Sequence, residues 1–325
     1  MALAEVELIL ALLVAVAALA ALADRLALPY PILLVVGGAA LGLVPGLPPI
    51  RLEPDLVFLL FVPPLVFVAA FFTSWRDFVA ATTPIFSLAV GLVIATALAV
   101  AVVAHGVAGI AWAPAFALGA AVANTDTTAT VAIAGQSGLP RRLVTILEGE
   151  SLVNDAVGLT AFRFAVAATV AGTISPWELG RGFALAVFGA LPIGFAVGWL
   201  TAIARARSSD PRIVTVIGLL TPFAAYLPAE RIGASGILAT VVAGLYVGRR
   251  EAQIEDATAR LEARAVWDMV IFIINGMLFI LIGMQLRPIW DALAGGPSLA
   301  ALMRTSAAVC VTVIAVRVVW VFAQA

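Results

Sequence analysis

The chain has no lysine; all 18 of its basic residues are arginine. It has a single cysteine, Cys310, and a single histidine, His105, which excludes a disulfide framework and a cysteine metal site. Charge of either sign is scarce, at 11% of 325 residues, and the formal net charge of -1 offers no basic surface for nucleic acid and no sign of an acidic partner. Apolar residues fill the space instead: 63% of the chain is hydrophobic and the mean hydropathy is +1.14. A soluble domain of this size cannot keep that much apolar surface from water, so the chain belongs in lipid. Its apolar windows of roughly 20 residues argue for helices rather than a barrel, whose strands alternate every second residue. The first helix opens with Glu5 and Glu7 and lacks a basic lead, so a cleavable signal peptide is not expected.

The expected fold is therefore an all-α polytopic membrane protein. Hydropathy predicts about eleven spans, at 6–23, 30–46, 55–72, 82–104, 112–135, 145–172, 179–204, 212–228, 234–248, 267–286 and 299–323. The loops between them are short. Those after odd-numbered spans hold Arg25, Arg76, Arg141 with Arg142, Arg205 with Arg207 and Arg212, and a group from Arg249 to Arg264. The other loops hold few arginines (Arg51, Arg231, Arg287 and Arg304) or none. The positive-inside rule then makes the odd loops cytoplasmic and the N-terminus external. With spans 1–6 as one unit and span 7 as a linker, span 8 starts on the opposite side from span 1. That predicts an inverted repeat, a pattern of many secondary transporters. The second unit has four spans where the first has six, so a chain truncated at its C-terminal side is expected.

The sixth span carries the strongest chemical signal. Glu148-Gly149-Glu150-Ser151-Leu152-Val153-Asn154-Asp155-Ala156 sets three carboxylates, a hydroxyl and an amide in an apolar run. Charge at membrane depth costs several kcal/mol and usually marks an ion or proton path. Ser151 and Asp155 stand four residues apart, as do Glu150 and Asn154, so each pair shares a helix face. A carboxylate beside a hydroxyl and an amide suits a small alkali cation, or a proton in its place. Burial favours a neutral carboxyl and a nearby cation favours the ionised one, so such a group can trade one for the other. The plainer reading is a polar network that packs this span against its neighbours.

The fifth span breaks off at Asn124-Thr125-Asp126-Thr127-Thr128-Ala129-Thr130, six polar residues in seven. Such residues compete with the helix backbone, and irregular backbone at membrane depth is tolerated where it lines a cavity. An unwound segment is expected there, with a helix end plus polar loop as the alternative. Arg317 lies in the last span among apolar residues and needs a carboxylate, for which Glu150 and Glu148 are the candidates. Arg163 is eight residues beyond Asp155, roughly 12 Å along the same helix, and is expected to snorkel or pair near the outer interface. Asp268 is expected as an interfacial charge. Pro63-Pro64 should break the third span. Gly233-Ala234-Ser235-Gly236 matches the serine motif of intramembrane proteases, but such a serine needs a histidine and only His105 exists. Ser235 reads better as a helix cap.

On these residues the chain resembles the monovalent cation/proton antiporters of the sodium–proton exchanger group. Glu148 to Ala156 is similar to that group's signature almost letter for letter. Support comes from Thr125-Asp126, Phe61-Val62-Pro63-Pro64-Leu65-Val66-Phe67, Ser235-Gly236-Ile237-Leu238 before Val241-Val242-Ala243-Gly244, and Asn275 before Phe279. The resemblance implies an inverted-repeat antiporter fold with a broken helix, forming a homodimer in the plasma membrane and needing no cofactor. Residues 1–80 and 176–295 would form the scaffold, and 81–175 with 296–325 the ion-transporting core. Asp155 would carry the cation or proton with Asn154 beside it, while Ser151, Asp126 and the Thr125 carbonyl complete the ion shell. Glu150 would pair with Arg317. Asn at 154 and the absence of lysine imply electroneutral exchange of sodium, or of potassium or lithium, for a proton by alternating access. Two features depart from the pattern: Val66-Phe67-Val68, and no acidic residue, stands shortly after Pro63-Pro64, and the last two core helices have no counterpart in the chain. A potassium/proton exchanger is the alternative within transport. An intramembrane hydrolase using Ser235 and a non-transporting sensor are the alternatives outside it.

Overall fold

A computed structural model describes residues 2–26, 28–44, 54–124, 140–172, 176–208, 210–254, 257–293, 296 and 298–324. Every regular element among them is helical. The chain runs through α1 (Ala2–Leu26), α2 (Tyr30–Gly42), α3 (Pro54–Leu60), α4 (Val62–Phe72), α5 (Trp75–Ala80) and α6 (Thr82–Phe86). A π-helical turn, Ser87–Leu92, leads into α7 (Val93–Ala108), followed by α8 (Trp112–Ala123) and α9 (Arg141–Ala171). Then come α10 (Pro176–Arg207), α11 (Pro211–Arg231), α12 (Gly236–Ile254), α13 (Ala257–Met284), α14 (Leu286–Leu293) and α15 (Leu299–Gln324). Seven helical stretches among the described residues are long and apolar enough to cross a membrane, and three shorter apolar helices accompany them. The protein is an all-α polytopic membrane protein, as its hydropathy predicted.

Local chemistry explains several boundaries. The third span divides at Phe61, between α3 and α4, because Pro63 and Pro64 have no N–H to continue the ladder from the preceding turn. The fourth span is one continuous stretch, α6 to α7, with the π-helical turn inside it. There the Cβ that Gly91 lacks would fall 2.5 Å from the Trp320 ring, so the widened turn and the glycine together admit the indole of α15. Helix α8 stops at Ala123, and Asn124 is extended, at the first residue of the polar run.

The chain divides into two compact units. The first, Met1–Leu65 with Ala257–Pro297, packs α1, α2 and α13 around Leu12, Val16, Leu34, Ile280 and Leu281. Its helices approach closely through glycine: a Cβ on Gly38 would lie 2.2 Å from the Ile280 carbonyl oxygen. The second, Val66–Asp256 with Ser298–Ala325, holds the acidic stretch. Within it α10, α11 and α12 meet through Ala190, Ala225, Ala229, Ala234, Ala239 and Ala243, all buried. Lipid drives no apolar collapse between helices, so such small-residue seams bring backbones together for dispersion and hydrogen bonding. Thr201 and Thr221 share a hydroxyl hydrogen bond of 3.2 Å across one such seam. Large apolar side chains such as Val170 and Phe322 face outward, as a lipid-facing surface requires.

Candidate functional site

The site is built on α9, the helix of the acidic stretch, which packs against α8 and the α5–α7 stretch. Small residues allow the approach. A Cβ on Gly149 would fall 2.5 Å from Ile85 Cδ1, and one on Gly158 would fall 1.9 Å from Asn124 Oδ1. The start of α9 is tied to α5 by Arg141 and Asp77, 3.4 Å apart and largely exposed. A pair of that kind contributes little to stability.

Helical periodicity divides the acidic stretch into two faces. Glu150 and Asn154, one turn apart, are buried at 1% and 0% exposure. Ser151 and Asp155, one turn apart on the next face, are only half-buried. Glu148, two turns before Asp155 and so on nearly the same face, is exposed. Packing alone thus separates the polar groups into an enclosed set and an accessible set.

The enclosed set is anchored by an arginine. Arg317 of α15 donates from Nη1 to Glu150 Oε1 at 2.8 Å and from Nη2 to Glu150 Oε2 at 3.0 Å. Both carboxylate oxygens are taken by one planar guanidinium, the fork geometry that makes such pairs strong and directional. Helix α15 otherwise lies along α7 and the π-helical turn. There Trp320 Nε1 and Gln324 Nε2 both donate to Ser87 Oγ, at 3.4 and 2.5 Å. The ion pair therefore joins α9 to a helix placed by other contacts. Of the two carboxylates that the sequence left open for Arg317, the geometry uses Glu150.

Asn124 adds a group that the sequence reading did not single out. It ends α8 against Gly158, one turn beyond Asp155, and its Oδ1 is buried without a hydrogen-bond partner among the described residues. Thr125 and Asp126, expected to complete an ion shell, lie outside the described residues. Asn124 is the last described position before them.

Arg163, further along α9, has a partner that sequence reasoning missed. Arg163 Nη1 donates to Glu230 Oε2 at 2.6 Å, and its Nη2 reaches the Tyr226 hydroxyl at 3.4 Å. Sixty-seven residues separate the pair, so no local spacing could reveal it. The nearest signal was that Glu230 is an acid at the apolar end of a predicted span.

The serine motif is structural. Leu238 N donates to Ser235 Oγ at 3.2 Å, so Ser235 caps α12, and Ser235 N donates to the Ala186 carbonyl at 3.0 Å. His105 does not serve it: Nδ1 lies 2.7 Å from the Ile110 carbonyl oxygen and the ring stacks on Trp112. No group of three or more potential metal-ligating side chains occurs among the described residues.

The class of protein that the fold and site define is an all-α membrane bundle with a half-buried carboxylate, Asp155, one turn from a hydroxyl on a helix where Glu150 is held by Arg317. The comparisons with known proteins narrow this. The family model described as "Sodium/hydrogen exchanger, transmembrane" matches residues 9–325, and the chain belongs to that family. It is similar to an uncharacterized Na(+)/H(+) exchanger of Mycobacterium tuberculosis, 36% identical over 315 residues, covering 96% of this chain and 58% of the relative. A sodium, potassium, lithium and rubidium/H(+) antiporter of Bacillus subtilis is 34% identical over 267 residues, 80% of this chain and 40% of that protein. The chain thus spans well under two thirds of the length of these relatives. The structure of the sodium proton antiporter MjNhaP1 from Methanocaldococcus jannaschii at pH 8 superposes with a TM-score of 0.69 over 87% of this chain and 71% of that one, at 19% identity. That likeness establishes a shared fold.

Proposed function

We propose that the protein exchanges a monovalent cation for a proton across the membrane, one for one, by alternating access at a single competitive site on α9. Asp155 is the exchanging carboxylate. Ser151 and Asn154 stand beside it, and Asp126 and the Thr125 carbonyl supply further oxygens. Glu150 and Arg317 hold the helix in place and do not travel with the ion. The observation that carries this reading is the division of α9: Glu150 is buried and bound at both oxygens by one guanidinium, whereas Asp155 is half-buried one turn from the Ser151 hydroxyl. A carboxylate in that position can bind a dehydrated cation or a proton but not both, which couples the two fluxes.

Family membership supports the exchange of sodium for protons, and the name of the Bacillus relative supports admitting potassium and lithium at the same site. The resemblance of Asn154-Asp155 to electroneutral members of the exchanger group supports electroneutral exchange. The protein sits in the plasma membrane as a homodimer with its N-terminus outside. Residues 1–80 and 176–295 act as scaffold, and 81–175 with 296–325 as moving core. Arg205 lies over the Phe71 ring and Arg249 over the Trp75 ring, each at 5.4 Å, near the C-terminal ends of α10 and α12 that the arginine distribution assigns to the cytoplasmic side.

The test is a pH-jump assay in everted vesicles containing the full-length protein, with sodium, lithium and potassium added in turn. Addition of a transported cation should collapse an imposed pH gradient without generating a membrane potential. Gradients unaffected by all three cations would overturn the reading.

A further inference from the structure

The Arg163–Glu230 pair lies at a seam where α9 is held lightly. Helix α9 packs chiefly on α8 and the α5–α7 stretch, and meets α10 and α12 only sparsely. Between α9 and those helices lies a cavity of about 80 Å³ lined by Thr160, Arg163, Phe164, Ala186, Glu230 and Ser235. Phe164 of α9 meets Gly182 of α10 closely there (a Cβ on Gly182 would fall 2.6 Å from its ring), but the cavity beside that contact leaves the rest of the seam loosely filled, and a seam with a cavity resists sliding less than a filled one. Among the described residues an ion pair of 2.6 Å crosses it, with side chains 41% and 26% exposed, and Arg163 also reaches the Tyr226 hydroxyl at 3.4 Å.

The surroundings of the pair let it open without stranding a buried charge. Glu230 Oε1 accepts the Gly236 N–H at 3.0 Å at the start of α12, so the carboxylate keeps a partner when the guanidinium leaves. The Arg163 side chain is 41% exposed toward the C-terminal end of α9, from where a guanidinium can snorkel to the interface. The pair sits eight residues beyond Asp155, roughly 12 Å along the α9 axis. It also lies at the ends of α11 and α12 that face away from the arginine-rich loops.

We propose that Arg163 and Glu230 form a breakable latch that closes this seam in the described conformation and opens when α9 shifts against the α11–α12 turn. The latch is a positioning device: it touches no transported ion and sets how often the cavity beside it opens. The proposal rests on the reading that α9 moves during exchange.

The experiment reads opening directly. Full-length protein in nanodiscs carries Cys310→Ser, which removes the sole cysteine of this chain, and Thr160→Cys, which places a thiol in the cavity lining. Any further cysteine beyond this chain is replaced by serine as well. The rate of labelling by a polar maleimide is then measured. Arg163→Gln, which leaves the Glu230–Gly236 contact in place, should raise that rate by about fivefold or more, the effect of losing one modest interaction. Arg163→Lys should stay close to the parent. Glu230→Gln serves as a second break of the pair if Arg163→Gln fails to insert. Labelling of a folded Arg163→Gln or Glu230→Gln protein at the parental rate would overturn the latch. Cation-dependent proton flux of the parent protein is measured in parallel. Its absence alongside accelerated labelling would remove the exchange reading and leave the latch standing.

Discussion

Besides the exposed Arg141–Asp77 pair, helix α9 takes part in two arginine–carboxylate pairs among the described residues, and they differ in carboxylate burial and in geometry. Glu150 is 1% exposed and gives both oxygens to Arg317, at 2.8 and 3.0 Å. Glu230 gives one oxygen to Arg163 and the other to a backbone N–H, and both side chains reach solvent. Removing one partner of the first pair leaves an uncompensated buried charge. Removing one partner of the second leaves groups that water or the backbone can satisfy. Asp155 lies between the two, five residues past the fixed pair and eight before the breakable one. A helix anchored at one level and latched at another can tilt or slide at the carboxylate between them without losing its place.

The largest expected effect comes from breaking the fixed pair. Arg317→Ala should destabilise the protein by about 3–5 kcal/mol, read as a large drop in melting temperature in detergent. Arg163→Gln should change that temperature little, and equal drops in the two variants would erase the contrast. Next comes the packing that seats α9 on α8. Gly158→Val drives a side chain into Asn124 and should cost about 1–3 kcal/mol, with lower flux in whatever protein folds. A neutral Gly158→Val would show that Asn124 is not held where described. The smallest effect is expected at the α12 cap: Ser235→Ala should cost roughly 1 kcal/mol, because Glu230 still accepts from Gly236 at the same helix start. Ser235→Ala should also leave cation-dependent proton flux intact. Loss of flux without loss of fold would give Ser235 a role beyond the cap.

Much of the architecture was readable because the bilayer imposes length and composition on each span. The proline pair, the end of α8 at the polar run and the demand of Arg317 for an acid all follow from local chemistry that a sequence displays. Local chemistry does not choose Glu150 over Glu148, since both precede Asp155 within two turns; the family resemblance implied Glu150, and the bidentate pair with Arg317 shows it. The π-helical turn at Ser87–Leu92 was not read from the sequence, and neither was the contact of its Gly91 with Trp320, far along the chain. The partner of Arg163 was hidden in the same way. A long-range pair needs the path of the chain, and periodicity gives only the face of a helix. Thr125 and Asp126 lie outside the described residues, so their part in the site rests on sequence.

The account turns on the claim that Asp155, and not the buried Glu150, exchanges the ion. The most direct measurement is cation-dependent proton flux in proteoliposomes of full-length Asp155→Asn, with its melting temperature taken alongside. The account predicts no flux with sodium, lithium or potassium and a melting temperature close to that of the parent, since Asp155 is not part of the fixed pair. Retained flux in a folded Asp155→Asn protein would contradict it.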